Sequence, residues 1–248
     1  MKFEIVPVLD KMLEIYSKPR SPERFKEYLA LLKGDTNNDL DVPISGFNPM
    51  AKEHVVQKIE ELKNLNAEAI ITDVISEINT NINLKNNNTF KIFINVADDL
   101  KGGWTNFYTT DFDSKFKLNA FVTRNFCVPY FWTSEMYSET LIIKRVKEYI
   151  YRTIFWITTD KRLQTLNDFV QQEYFVHQNI NPKKVSAKIN SKEIDFLHSY
   201  FEKHKESTDY NLIFNFMYGD AACESLSYPT FGITGITGFE LVSSLNKK

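Results

Sequence analysis

Apolar residues recur along this chain at two different periods, and the change between them marks its organisation. Val8, Leu9, Met12, Leu13 and Tyr16 are spaced by three and four, which predicts an amphipathic helix entered through Pro7. Lys18-Pro19-Arg20-Ser21-Pro22 interrupts it. Ser21 is then a good N-cap and Pro22 a good first residue for a second helix, which carries Phe25, Tyr28, Leu29 and Leu32 and ends at Gly34. The polar run 35–41 reads as a loop. Asn48-Pro49 repeats the capping pattern ahead of Met50, Val55, Val56, Ile59 and Leu62, and a further helix is expected over 67–78. Asparagine favours turns and local side-chain bonds, so the Asn-rich stretch 79–88 is read as a linker. Within a single domain 1–248, it separates an N-terminal helical subdomain, 1–80, from an α+β subdomain, 89–248.

The short apolar run Phe90-Lys91-Ile92-Phe93-Ile94-Asn95-Val96 has the character of a buried strand, closed by Asp98-Asp99. Gly102-Gly103 predicts a turn, followed by a second strand over 104–108 and a third over 116–126 that Pro129 ends. Helical spacing then returns. Thr133 or Ser134 caps a long helix over 134–157, with Glu135 and Glu139 early, where the dipole favours anions. Ile142 or Ile143, Val146, Ile150 and Ile154 form its buried stripe, and Arg145, Glu148, Tyr149, Arg152 and Trp156 a second face. Leu163, Leu166, Phe169, Val170 and Tyr174 predict another helix, as do Ile194, Leu197 and Phe201. The run 212–216 fits either type. The tail 231–239 repeats Gly-Ile-Thr twice, too few copies for a repeat architecture. The fold class expected is α+β: predominantly helical, with a small central β-sheet and one long helix (134–157) packed on it. Ile92, Ile94, Phe121, Val146, Ile150 and Ile154 are the expected core.

Composition narrows the function classes. The chain is 43% hydrophobic and 25% charged, ordinary for a globular protein. A formal net charge of −2 argues against a general nucleic-acid binder, which needs a basic surface. Asp10, Lys11 and Glu14 break any signal-like apolar run, and no stretch approaches the roughly 18 apolar residues of a membrane helix. A cytoplasmic address without membrane contact is the expectation. Cys127 and Cys223 lie far apart and form no metal or redox motif.

Five groups of residues carry candidate chemistry. Asp98, Asp99, Asp111 and Asp113 flank the Gly-Gly-Trp turn, where oxygen-rich loops can hold Mg²⁺ or Ca²⁺; the plainer reading is solvated turn residues, and no metal site is assigned. Trp104 and Asn106, with Tyr108, form a candidate sugar or peptide platform, although an indole more often packs beneath a turn. Arg145, Tyr149 and Arg152 are candidate ligand-binding residues, because two guanidiniums can grip a carboxylate or phosphate bidentately. Glu148 beside them is the candidate acid/base; the plainer reading is a salt-bridged helix face. Glu173 and His177 stand i,i+4 and can share a proton, which makes His177 the second candidate catalytic residue, but HExxH is absent. His54 and His198 read as surface residues. Cys127 reads as a buried free cysteine in preference to a nucleophile paired with His177.

The order of strand, Gly-Trp turn, strand and long helix over the central third of the chain is similar to the layout of zincin-type metallopeptidases. In those the long helix carries HExxH. Here the stretch reads Arg145-Val146-Lys147-Glu148-Tyr149, with both histidines missing. The resemblance is one of element order and implies a scaffold that has lost its zinc. No cofactor is indicated. Two functions follow as expectations. One is a binding or interaction protein that uses an aromatic and arginine-lined cleft for a small anionic ligand or peptide. The alternative is a hydrolase-like enzyme, or a degenerate zincin-like scaffold, with Glu148 as acid/base.

Overall fold

The computed structural model describes residues 1–34, 41–43, 48, 50–82, 84, 87–100, 105–159, 162–180 and 191–245. Among them the chain is mostly helical with a small sheet, an α+β fold. It divides into two compact units, 1–114 with 118–150, and 115–117 with 151–248.

The first unit is built on parallel strands. β1 (Lys2–Ile5) pairs with β2 (Thr89–Ile92), and β2 with β4 (Phe126–Cys127). β3 (Asn95–Ala97) pairs with β5 (Tyr130–Trp132). Phe93 N donates to Cys127 O at 3.2 Å and Asn95 N to Pro129 O at 3.0 Å, so β2–β3 and β4–β5 run on as two strands with a shared interruption. Pro129 is the cause: without an N–H it returns no bond to the ladder. Phe3, the buried residue of β1, has its N–H and C=O turned away from β2, and both are taken by the Asn79 amide at 2.8 Å.

Parallel strands need long crossovers. The first passes through α1 (Leu9–Ser17), α2 (Pro22–Lys33), α3 (Glu53–Asn64) and α4 (Ala67–Asn81), where Leu9, Met12, Tyr16, Tyr28, Leu32, Val55, Ile59 and Leu62 are buried as expected, while Phe25, Leu29 and Met50, also expected on buried faces, are exposed. Ser21 accepts from Arg24 N with Pro22 at the first position, and Gly34 closes α2 at φ 55°. Asn48 accepts from Met50 N but does not cap α3, which starts at Glu53 after Lys52; Pro49 lies outside the described residues. Asn79 and Asn81 belong to α4, and β1 and β2 share one sheet, so the stretch 79–88 falls inside the first unit.

The second crossover differs from the reading by period. Of the stretches expected as strands over 104–108 and 116–126, the described residues fall largely in α5 (Phe107–Phe116), α6 (Asn119–Thr123) and the two residues of β4, while Trp104 lies outside the described residues. Asn106 accepts from Thr109 N at 3.2 Å and starts α5. Phe107, Tyr108 and Phe116, expected in strands, belong to a helix instead, and Phe116 is buried together with Phe112 four residues before it. Phe121, expected in the core, is half-buried on α6. The other five expected core residues are buried.

The long helix, α7 (Glu139–Thr159), begins five residues later than expected. Ser138 accepts from Leu141 N at 3.2 Å, whereas Thr133 and Ser134 bind the carboxylates of Asp98 and Asp99. On its first half, Tyr149 stacks on Tyr130 of β5 at 6.3 Å.

The second unit is helical: the end of α7 with α8 (Leu166–Ile180), α9 (Ser191–His204), α10 (Tyr210–Ser225) and α11 (Gly238–Leu245). α10 breaks at Gly219, whose φ 81° and ψ 172° only glycine adopts readily. Beyond the break, Asp220 Oδ1 accepts from Asn215 Nδ2, Phe231 N and Ile233 N, fixing the glycine-rich tail. Gly238 opens α11 where a Cβ would lie 2.8 Å from Phe216 and Met217, so the helix can pack there only through glycine.

Candidate functional site

Ligands of open parallel sheets gather outside the carboxyl ends of the strands. In the first unit those ends are Asp98-Asp99 after β3 and Thr133-Ser134-Glu135 after β5. α3 brings its first turn to the same place. His54 Nε2 lies 2.8 Å from Asp98 Oδ1, which also accepts from Thr133 Oγ1 at 3.2 Å and Leu100 N at 3.3 Å. Asp99 is bound through Oδ1 by Ser134 N at 3.0 Å and through Oδ2 by Ser134 Oγ at 2.6 Å.

The rim beside this pair is closed on itself. Lys58 Nζ donates to Glu61 at 2.7 Å and to Glu135 O at 2.5 Å, and lies over the Tyr137 ring. Glu61 accepts from Tyr137 N at 2.9 Å. Burial would raise the Glu61 carboxyl, but Lys58 and the Tyr137 amide hold it below its usual range. Glu135 is gripped by both terminal nitrogens of Arg145, at 2.6 and 3.2 Å. Burial would lower the Arg145 guanidinium, and the Glu135 carboxylate raises it instead. Hydrogen bonds and charges on this rim are therefore matched. Against it, the His54 side chain is 29% exposed, and among the described residues neither His54 Nδ1 nor Asp98 Oδ2 has a partner. A carboxylate on one ring nitrogen sets the tautomer and leaves the other nitrogen to face solvent or ligand.

The residues singled out by pattern fall in separate places. Trp104 lies outside the described residues, as do Gly102 and Gly103. Asn106 is the cap of α5. Arg145 is bound to Glu135 and to Tyr130 O, the latter at 2.6 Å. Tyr149 is buried, with its hydroxyl 2.7 Å from Ser114 Oγ. Glu148 is half-buried, with Lys144 at 3.9 Å. All of these described residues belong to the first unit. Asp111 is buried and Asp113 exposed on α5. Arg152 and His177 belong to the second unit. There Arg152 grips Glu173 through Nε at 2.7 Å and Nη2 at 2.6 Å, both residues buried. Burial raises the Glu173 carboxyl, but the Arg152 guanidinium outweighs it and holds the acid ionised. The two arginines expected to grip a ligand thus hold carboxylates of the chain itself.

His54 is the residue that spacing could not find, because its partner Asp98 lies on another element 44 positions away. Among the described residues no group of three or more His, Cys, Asp or Glu side chains could hold a metal ion, and no helix is long and apolar enough to cross a membrane. Both cysteines are buried, and burial pushes the Cys223 thiol up. Comparisons with protein-family models, with curated proteins and with solved structures give no match.

Proposed function

We propose that this is a ligand-binding protein that takes a small polar molecule or peptide at the carboxyl ends of β3 and β5. The observation that carries this reading is the His54–Asp98 pair, a half-exposed imidazole oriented by a carboxylate with one hydrogen-bonding atom of each group still unused. The charge left over at this edge favours a ligand different from the anion expected for an arginine cleft. Lys58 and Arg145 are neutralised by Glu61 and Glu135, while among the described residues Asp98 and Asp99 face only imidazole, hydroxyls and amides. A donor-rich group, hydroxyl or amine, complements that arrangement. Native mass spectrometry of the purified protein tests it. A small-molecule adduct carried by the wild type and lost in both His54→Ala and Asp98→Asn supports the site. An adduct that survives both substitutions removes it.

One observation favours a second, hydrolase-like reading. A carboxylate-oriented imidazole is the usual general base, and here it stands in for the Glu148 expected from sequence. Ester or amide hydrolysis that disappears with His54→Ala and persists with Glu148→Gln would place this reading first. Hydrolysis retained in His54→Ala would end it.

A further inference from the structure

Three arginines can be compared atom by atom. Arg152 holds the Glu173 carboxylate on the edge formed by Nε and Nη2. Arg145 holds Glu135 on its two terminal nitrogens. Arg24, on the first turn of α2, is 3% exposed and makes only one such bond, from Nη1 to Lys18 O at 3.1 Å. Its Nε and Nη2, the same edge that Arg152 uses, are shielded from solvent and have no acceptor. A buried donor left unpaired is costly, and two on one cation are more so.

The surroundings of that edge are suited to an anion. The Arg24 guanidinium lies 4.9 Å over the ring of Tyr16 from α1. The hydroxyl of that same tyrosine is also buried without a partner, a third unsatisfied donor. Burial depresses the Arg24 guanidinium, and Arg20 lowers it further while the only group raising it is Tyr16. Among the described residues no carboxylate forms an ion pair with Arg24. Glu27, four residues from Glu23 on the same helix, is bound to Lys18. The flanking Arg20, Pro22, Glu23 and Phe25 are all exposed.

We propose that Arg24, with Tyr16, forms a binding site for an oxyanion that presents two oxygens side by side, a carboxylate or a phosphate group. The Nε and Nη2 donors run parallel at the spacing of such a pair, as the Glu173 carboxylate shows on Arg152. The site is independent of the His54 edge, and either can fail without the other.

Thermal unfolding of the full chain is titrated with sodium phosphate, sodium sulfate and sodium acetate, each against sodium chloride at matched ionic strength. A saturable rise in Tm above the chloride control is expected from at least one oxyanion. An anion at about 100 times its dissociation constant raises the folded-to-unfolded ratio about 100-fold. Arg24→Met is expected to abolish the rise, and Tyr16→Phe to weaken the affinity severalfold. A response to acetate alone identifies a carboxylate site, and one to phosphate and sulfate alone a phosphate-type site. Responses no larger than chloride, or a saturating rise that survives Arg24→Met, overturn the proposal. If Arg24→Met does not fold, the Arg24 Nε–H resonance of the wild type decides. It shifts on saturation if the proposal holds, and an unmoved resonance overturns it.

Discussion

Removing one partner of the Arg152–Glu173 pair gives the sharpest test of the second unit. Both side chains are nearly solvent-free, at 3% and 5% exposure, and two parallel bonds of 2.7 and 2.6 Å join them. Glu173→Leu leaves a buried guanidinium without its carboxylate, for which the expected cost is about 3–5 kcal/mol. On a chain of this length that corresponds to roughly 6–20 °C in Tm. Arg152→Met is expected to cost a similar amount, since it leaves the carboxylate buried. The double variant replaces the pair with apolar groups and is expected to recover most of the loss, because a buried pair is held against its own desolvation. Trp156 is a built-in reporter: its Nε1 donates to Gln172 Oε1 at 2.7 Å, and Gln172 Nε2 donates to Glu173 at 3.0 Å. Urea unfolding followed by tryptophan fluorescence, to which Trp156 contributes beside Trp104 and Trp132, therefore carries a signal from this region. The pH dependence has a definite sign. The Glu173 carboxyl is held below its unfolded value, so its contribution is present above the usual carboxylate range and fades as pH falls through the folded value. The gap between wild type and the double variant should narrow in acid. A cost below about 1 kcal/mol for Glu173→Leu, or a double variant no more stable than the singles, would refute the reasoning.

Three further outcomes are expected. Asn95 is wholly buried in β3 with neither amide atom bonded, so Asn95→Leu should raise stability by about 1–3 kcal/mol in denaturant unfolding; a loss of that size would instead mean that the amide has a bound partner in solution. Burial, with Asp113 adding to it, pushes the Tyr130 hydroxyl up to about 12, so spectrophotometric titration should show a tyrosine that stays protonated while exposed ones ionise. Its raised value contributes stability below the unfolded value near 10, and that contribution is lost as pH climbs toward 12. Gly219→Ala forces a side chain into φ 81° with its Cβ 3.2 Å from Ile233 O, and should cost about 1–3 kcal/mol in thermal unfolding.

Much of the helical part of the fold was legible because its signals are local. Ser21-Pro22 and Gly34 bound α2, and the stripe Val146, Ile150, Ile154 marks the buried side of α7, within the span of a few turns. The short strands were harder. β1 offers four residues with one buried, too few to show a period, and only pairing with β2 across the intervening helices makes it a strand. The stretch 107–116 has a run of aromatic residues that fits either element, and the Asn106 cap decides it. The site was least legible. Arg145 and Arg152 share a helix face in sequence, yet each is claimed by a carboxylate from elsewhere in its own unit, Glu135 and Glu173. His54 has no meaning as a candidate until the sheet brings Asp98 beside it. Buried unpaired donors such as those of Arg24 have no sequence signature at all, since burial is a property of the assembled fold.

The Asn79 amide has a consequence for how this chain behaves among copies of itself. β1 is an outer strand, and outer strands invite a second molecule to continue the sheet. With its carbonyl and amino group the Asn79 side chain imitates one peptide of such a neighbour, and it occupies the outward N–H and C=O of Phe3, the centre of a strand only four residues long. A molecule approaching this edge meets a side chain already seated where its own backbone would have to bond. The residue whose type suggests a loose connection is thus a guard against association, and the helix that holds it, α4, lends the small sheet an end.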